Sequence, residues 1–260
     1  QYEVTLDQIY DRFQEISGVS SEVKNNLMKL EMDAELDICQ RKKGVLFYKK
    51  LAERLGRKTG IISDFYIEEP YIKELLKKLS INFDFLYVSA SEGIRKHNGT
   101  IYPLLIKWAK AQGIEKKKIV HIGDNRIADL EMARANGIDA VLFPPSIQNF
   151  GRSKIAKGGL KNLQNSDSIC DSVISGLIAS KFYSAPFNQI LVDRLIPTNH
   201  LALGYSSYGP LLLGFTIWLY QTAKAQSIDH LYFLSRDGYV LKQAFDAMYG
   251  DKISTTYLYA

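Results

Sequence analysis

The sequence predicts an α/β protein with parallel strands, and three observations carry that expectation. Between residues 59 and 143, short apolar runs alternate with helix-length amphipathic segments, the spacing of βαβ crossovers. Residues 1–57 carry only helical periodicity. From residue 168 a second, partial α/β unit follows, with two helices, then a strand, a turn, a helix and the start of another strand.

Composition allows such a fold. Apolar residues make up 46% and charged residues 23% of 260, enough for a packed core and incompatible with wholesale disorder. The net charge of +5, from 33 basic and 28 acidic residues, is too mild to imply nucleic acid. Lys116-Lys117-Lys118 reads as a solvated turn before a strand, so no nucleic-acid partner is expected. Cys39 and Cys170 stand far apart without zinc-ligand spacing, which suits a reducing cytoplasm. All 12 glutamates lie at or before Glu131, a compositional break that suggests two different parts.

Taken in order, Thr5 and Gln8 suggest a capping box, followed by Leu6, Ile9, Phe13 and Ile16 on one helix face. Val23, Leu27, Leu30, Ala34 and Ile38 form a second stripe, and Phe47, Leu51 and Leu55 a third, ended by Gly56. Strands are expected at 59–63, 85–88, 119–122 and 140–143. Helices should lie around Ile72–Leu79, at Thr100–Gln112 and at Ala128–Asn136. Pro144-Pro145 ends this run, and the Ser-, Asn-, Gly- and Lys-rich stretch 147–167 reads as a linker. Helices near 168–182 and 210–224 follow, then a strand at 231–235, a helix to about Met248 and a strand from Ile253. Leu195–Ala223 has no charged residue, but its continuous apolar run begins only at Pro210. It therefore reads as a buried helix rather than a membrane span. No signal peptide is visible, while Gln1 and the strand-like end at Ala260 both look cut.

In a parallel sheet, functional groups belong at the carboxyl ends of strands. Three such ends carry polar residues here: Ser63-Asp64, the stretch from Ser89 to Lys96, and Gly123-Asp124-Asn125 with Asp129 beyond. Ser63 could hydrogen-bond an anion's oxygens, and Lys96 would add a point charge. Asp124 and Asp129 offer the hard oxygen ligands that suit Mg²⁺. Each residue also has a plainer reading: Ser63 as a turn cap, Asp129 as a helix-start acid and His121 as a core residue.

The run IISDFYIEE, then FLYVSASEGIRKHNGTIY, then IVHIGDNRIADLEMARANGIDAVLF, resembles the core of the haloacid dehalogenase superfamily. It is most similar to hydrolases of that superfamily found beside bacterial surface-polysaccharide glycosyltransferases. The later GYSSYGPLLLGF and LYFLSRDGYVL resemble the second half of those proteins. The resemblance implies a Rossmann-like core at 58–146 under a helical cap at 1–57, with 168–260 a second, incomplete unit. It also implies catalytic roles for Lys96, Asp124 and Asp129, and Mg²⁺ held by Asp124 and Asp129. Ser63, Asp64 and Asn125 would meet a phosphorylated sugar or glycan, with glycosyltransferase domains or proteins as partners.

One feature of that family is missing. Its nucleophile is the first Asp of an Asp-x-Asp-x-Thr motif, and no such motif precedes Ser63. Asp64-Phe65-Tyr66 is a weaker alternative, because it would leave residues 1–57 as an unexplained prefix. Arg236 and Asp237, in Leu234-Ser-Arg-Asp-Gly238, either form a degraded nucleophile motif or mark a strand-to-helix turn with Asp237 as the cap. The expected activity is therefore a Mg²⁺-dependent phosphohydrolase or phosphotransferase lacking its nucleophile. The alternatives are a non-hydrolytic phosphosugar-binding or transferase module, and an inactive fragment.

Overall fold

The computed structural model describes residues 3–158, 160, 168–184 and 200–259. They mix helices with short, exclusively parallel strand pairs, an α/β arrangement. The chain divides into two compact units, Gln1–Gln148 with Ser184–Pro186, and Asn149–Tyr183 with Phe187–Ala260.

The first unit opens with α1 (Leu6–Ser17), α2 (Ser21–Ile38) and α3 (Lys43–Arg54). Thr5 and Gln8 form the expected capping box, each side chain bonding the other's backbone N–H. Of the residues in the three expected apolar stripes, Leu6 is buried and the rest stay exposed. Ile9, Phe13, Ile16, Val23, Leu27, Leu30 and Ile38 are exposed, whereas Met28, Met32 and Leu36 pack against the core. Polar contacts set that rotation. Tyr10 and Tyr66 both donate to Glu31, at 2.6 and 2.9 Å, and Tyr71 donates to the Met32 carbonyl at 3.0 Å. The Glu31 carboxylate holds the Tyr10 phenol up at about 12, and burial does the same for Tyr66. A stripe alone does not say which helix face carries such bonds.

Beyond Gly56, where φ is 64°, the strands begin. β1 (Gly60–Ser63) pairs in parallel with β2 (Phe85–Val88), Ser63 opposite Val88. The crossover is α4 (Glu69–Lys78), which buries Tyr71, Ile72 and Leu76 on one face. After β2 come the short α5 (Ser89–Glu92) and α6 (Tyr102–Ala111). β3 (Val120–Gly123) then pairs in parallel with β4 (Asp139–Leu142), Gly123 opposite Leu142. Between them the expected helix is split into a π-helical turn, Arg126–Glu131, and α7 (Met132–Ala135).

Among the described residues no ladder joins β1 to β3, so the parallel strands stand as separate pairs. What unites them is α6. Its Tyr102 and Leu105, with Ile101, Ala133, Ile138 and Ala140, form a cluster that also takes in Ile62, Phe85 and Tyr87. Both strand pairs therefore bury side chains in the same core. The other face of the β3–β4 pair is open, with Val120 at 57%, Ile122 at 38% and Val141 at 51% exposure. Parallel strands are ordinarily covered on both faces.

In the second unit, α8 (Ser146–Arg152) and α9 (Lys154–Lys157) occupy the start of the stretch expected as a linker. Phe150, Ile155 and Ala156 are buried there against Ile178, Ala179 and Tyr183 of the segment containing α10 (Ile169–Phe182). The apolar residues scattered through that polar stretch decide its structure. Of the rest of 147–167, residues 159 and 161–167 lie outside the described residues. Further on come α11 (His200–Leu203), a π-helical turn at Gly204–Tyr208 and α12 (Gly209–Ala225), with Pro210 in its first turn as expected. β5 (His230–Leu234) and β6 (Ser254–Leu258) pair in parallel around α13 (Gly238–Tyr249), with Phe233 and Phe245 in their core. No described helix is long and apolar enough to cross a membrane.

The Tyr102 hydroxyl, fully buried, donates to the Ala128 carbonyl at 2.6 Å and so fastens α6 to the π-helical turn. Tyr102→Phe leaves that carbonyl without its partner and should lower stability by about 1–3 kcal/mol in urea unfolding.

Candidate functional site

The carboxyl ends of β1, β2 and β3 meet at one residue, Lys96. Its backbone N–H donates to Asp64 Oδ1 at 2.7 Å, and the next N–H, of His97, donates to Asp64 Oδ2 at 3.1 Å. Its ammonium donates to Asp129 Oδ1 at 2.7 Å. One lysine thereby ties the loop after β1 to the loop after β3. The sequence placed Ser63, Asp64, Lys96, Asp124, Asn125 and Asp129 at these three strand ends, and the fold brings those ends together.

Asp129 is the centre of charge. Its side chain is 2% exposed and that of Lys96 is 14% exposed, so the pair lies in a low-dielectric environment. His121 Nε2 approaches the same Oδ1 at 3.0 Å, and the Asn125 N–H donates to Oδ2 at 2.9 Å. Burial would raise the Asp129 carboxyl. Hydrogen bonds from His121 and Lys96, the Lys96 charge and the Asn125 amide outweigh it, holding the group far below the usual carboxylate range.

The local chain is shaped to this carboxylate. A Cβ on Gly123 would stand 2.2 Å from Asp129 Cγ, so only glycine lets the strand end approach it. Asn125 caps the π-helical turn, its Oδ1 accepting from Ile127 and Ala128 N–H at 3.0 and 2.9 Å. That cap and the reach-back of Asp129 explain why the segment winds as a π-turn rather than the expected regular helix. They also give Asn125 a structural use.

The metal expectation divides between the two aspartates. Asp129 Oδ1 accepts from Lys96 and lies 3.0 Å from His121, and Oδ2 accepts from the Asn125 N–H, so its carboxylate is largely committed to partners within the protein. Asp124 is exposed, and among the described residues its carboxylate carries no hydrogen bond. No described group of three or more His, Cys, Asp and Glu gathers into a metal cluster. Mg²⁺ characteristically keeps waters and binds through one or two carboxylates with substrate phosphate, so Asp124 fits that role. Asp64 spends both oxygens on backbone N–H groups, which makes it a clamp on the lysine loop. Ser63, half-buried at the end of β1, has no side-chain hydrogen bond among the described residues.

Two residues contribute in ways that the sequence did not assign to them. The Ser89 hydroxyl, fully buried, accepts from Phe65 N–H at 2.8 Å and donates to its carbonyl at 3.3 Å, fixing the loop that carries Asp64. Lys42, at the N-terminal end of α3, donates to the Pro144 carbonyl at 3.1 Å and lies 4.6 Å from the Phe143 ring centroid. Nothing in the periodicity of α3 distinguishes it.

Arg236 and Asp237 stand in the second unit. Asp237 does not cap α13: its backbone is already helical (φ −67°, ψ −33°), whereas a capping side chain needs an extended residue. The turn is made instead by Arg236, at φ 70°, whose N–H donates to the Tyr257 hydroxyl at 2.7 Å. In the same unit, Tyr205 packs edge-on against Phe182 and Tyr208 is exposed.

No family model matches the chain, and no curated protein matches it. Among solved structures, the chain is similar to an uncharacterized protein from Listeria monocytogenes serotype 4b. The two are 29% identical, with a TM-score of 0.33, over 36% of this chain and 55% of that one. The chain thus spans little more than half of that protein's length.

Because the Asp129 carboxyl is held low, its stabilising contribution is complete above the ordinary carboxylate range, near pH 4, and is lost as pH falls below it. Urea unfolding between about pH 5 and pH 2 should show a shallower loss of stability for Asp129→Asn than for the unaltered chain. Equal slopes would mean that the pair contributes nothing to the pH dependence.

Proposed function

We propose that residues 58–146 form the core of a Mg²⁺-dependent phosphohydrolase or phosphotransferase of haloacid dehalogenase type, acting on a phosphorylated sugar or glycan. The observation that supports this reading is the convergence of three strand-end loops on Lys96. A phosphoryl group bound beside that ammonium would meet two N–H donors not used by Asp129, since a lysine has three. Ser63 would donate its hydroxyl to a second phosphoryl oxygen. Asp129 and Asp64 would hold Lys96 still, so that charge developing on the phosphoryl oxygens meets an oriented cation. Mg²⁺, held through Asp124, would add positive charge to the same oxygens.

The covalent route of that family also needs an attacking carboxylate. Asp64 is a poor candidate, with both oxygens engaged by backbone amides. No Asp-x-Asp-x-Thr motif precedes Ser63 to supply one, so in this reading the nucleophile comes from outside residues 58–146. In this reading residues 1–57 are the cap. The second unit serves surface-glycan assembly, together with glycosyltransferase domains or proteins.

The test is release of inorganic phosphate from sugar phosphates by a chain extended upstream of Gln1, with and without Mg²⁺. Asp124→Asn should lower kcat/KM by about 100-fold or more, and a chelator should have a comparable effect. Unchanged turnover in Asp124→Asn would overturn the reading. Phosphosugar binding without turnover would favour a carrier or transferase role instead.

A further inference from the structure

Lys42 belongs to no motif, yet it sits where the strand ends open. The Phe143 N–H donates to the Gly123 carbonyl at 2.7 Å, which sets Phe143 and Pro144 beside Asp124. Lys42 lies against Phe143 and bonds Pro144, and its charge and that of Asp124 are close enough to influence each other. Two lysines from distant parts of the sequence therefore stand at the 124–129 loop, Lys96 at Asp129 and Lys42 at the Phe143–Pro144 segment that is bonded to Gly123.

Lys42 does little for the helix that carries it. A cation at the N-terminus of α3 opposes the helix dipole, and its side chain caps none of the free N–H groups. Half-buried, it also gives up hydration, and among the described residues its ammonium has a single hydrogen-bond acceptor. Two donors remain for a ligand. A lysine that breaks a local rule at the rim of a site is more readily explained by binding than by stability.

We infer that Lys42 binds a second anionic group of the substrate, so that the site prefers a sugar carrying two anionic groups over one carrying a single phosphate. This rests on the functional reading above, which places the first phosphate at Lys96. The geometry divides the labour: Lys96 and Ser63 take the group common to every substrate, and Lys42 takes the group that distinguishes them. Because Lys42 comes from the N-terminal helical segment, that segment would take part in selection as well as in covering the core.

The inference is tested by calorimetric titration of the whole chain with glucose 6-phosphate and with glucose 1,6-bisphosphate, in the presence of Mg²⁺. The unaltered chain should bind the bisphosphate at least about tenfold more tightly. Lys42→Gln should erase that preference and leave the Kd for glucose 6-phosphate unchanged, while Lys42→Arg should keep most of it. Thermal melting of both variants checks that the fold is intact. Equal weakening of both ligands, or of neither, would overturn the inference. Ser63→Ala, which breaks no hydrogen bond among the described residues, separates the two readings: it should weaken both ligands. If it does so while Lys42→Gln has no effect, the phosphate site stands and the second-anion site falls. If the unaltered chain binds neither ligand, both fall.

Discussion

The first unit depends on keeping a charged pair, Lys96 and Asp129, out of water. Removing two ions from solvent is costly, and their attraction offsets that cost only when the remaining donors and acceptors are also satisfied. Asp129 meets this condition, with Lys96, His121 and the Asn125 amide around it. Other local features follow from that requirement. Gly123 must lack a side chain, Asn125 must cap, and the segment after it must wind as a π-turn to bring the carboxylate back over the strand end. Asp64 completes the arrangement by gripping the backbone of the lysine's own loop.

The same pair explains how two unjoined strand pairs act together. Apolar contact through α6 gives them a common core without setting the register of their loops. The ion pair sets it, because breaking a buried pair by removing one partner typically costs about 3–5 kcal/mol. A polar contact thereby fixes the geometry of loops that the hydrophobic core leaves adjustable, as a binding site at strand ends requires.

Much of this was legible in the sequence. The alternation of apolar runs and helical segments located the strands, and Ser63, Lys96, Asp124 and Asp129 were placed at strand ends that the fold brings together. What could not be read depended on rotation or long-range pairing. On α2 the apolar stripe Val23, Leu27, Leu30 and Ile38 faces outward, because Glu31 must reach Tyr10 and Tyr66 while Met32 meets Tyr71. Ser89 and Lys42 act through partners 24 and 102 residues away, a separation no local pattern encodes. The stretch after Pro145 looked like a linker because its polar residues outnumber the few apolar ones that anchor it.

The central claim is that Lys96 and Asp129 hold the strand-end loops together. A double-mutant cycle of Lys96→Met and Asp129→Asn, followed by urea unfolding near neutral pH, measures their coupling directly. The structure predicts that either single change is strongly destabilising and that the double variant is more stable than the sum of the two losses implies. The coupling should be about 2 kcal/mol or more. Strictly additive losses would contradict the account, because Lys96 and Asp129 would then be neighbours that do not depend on one another.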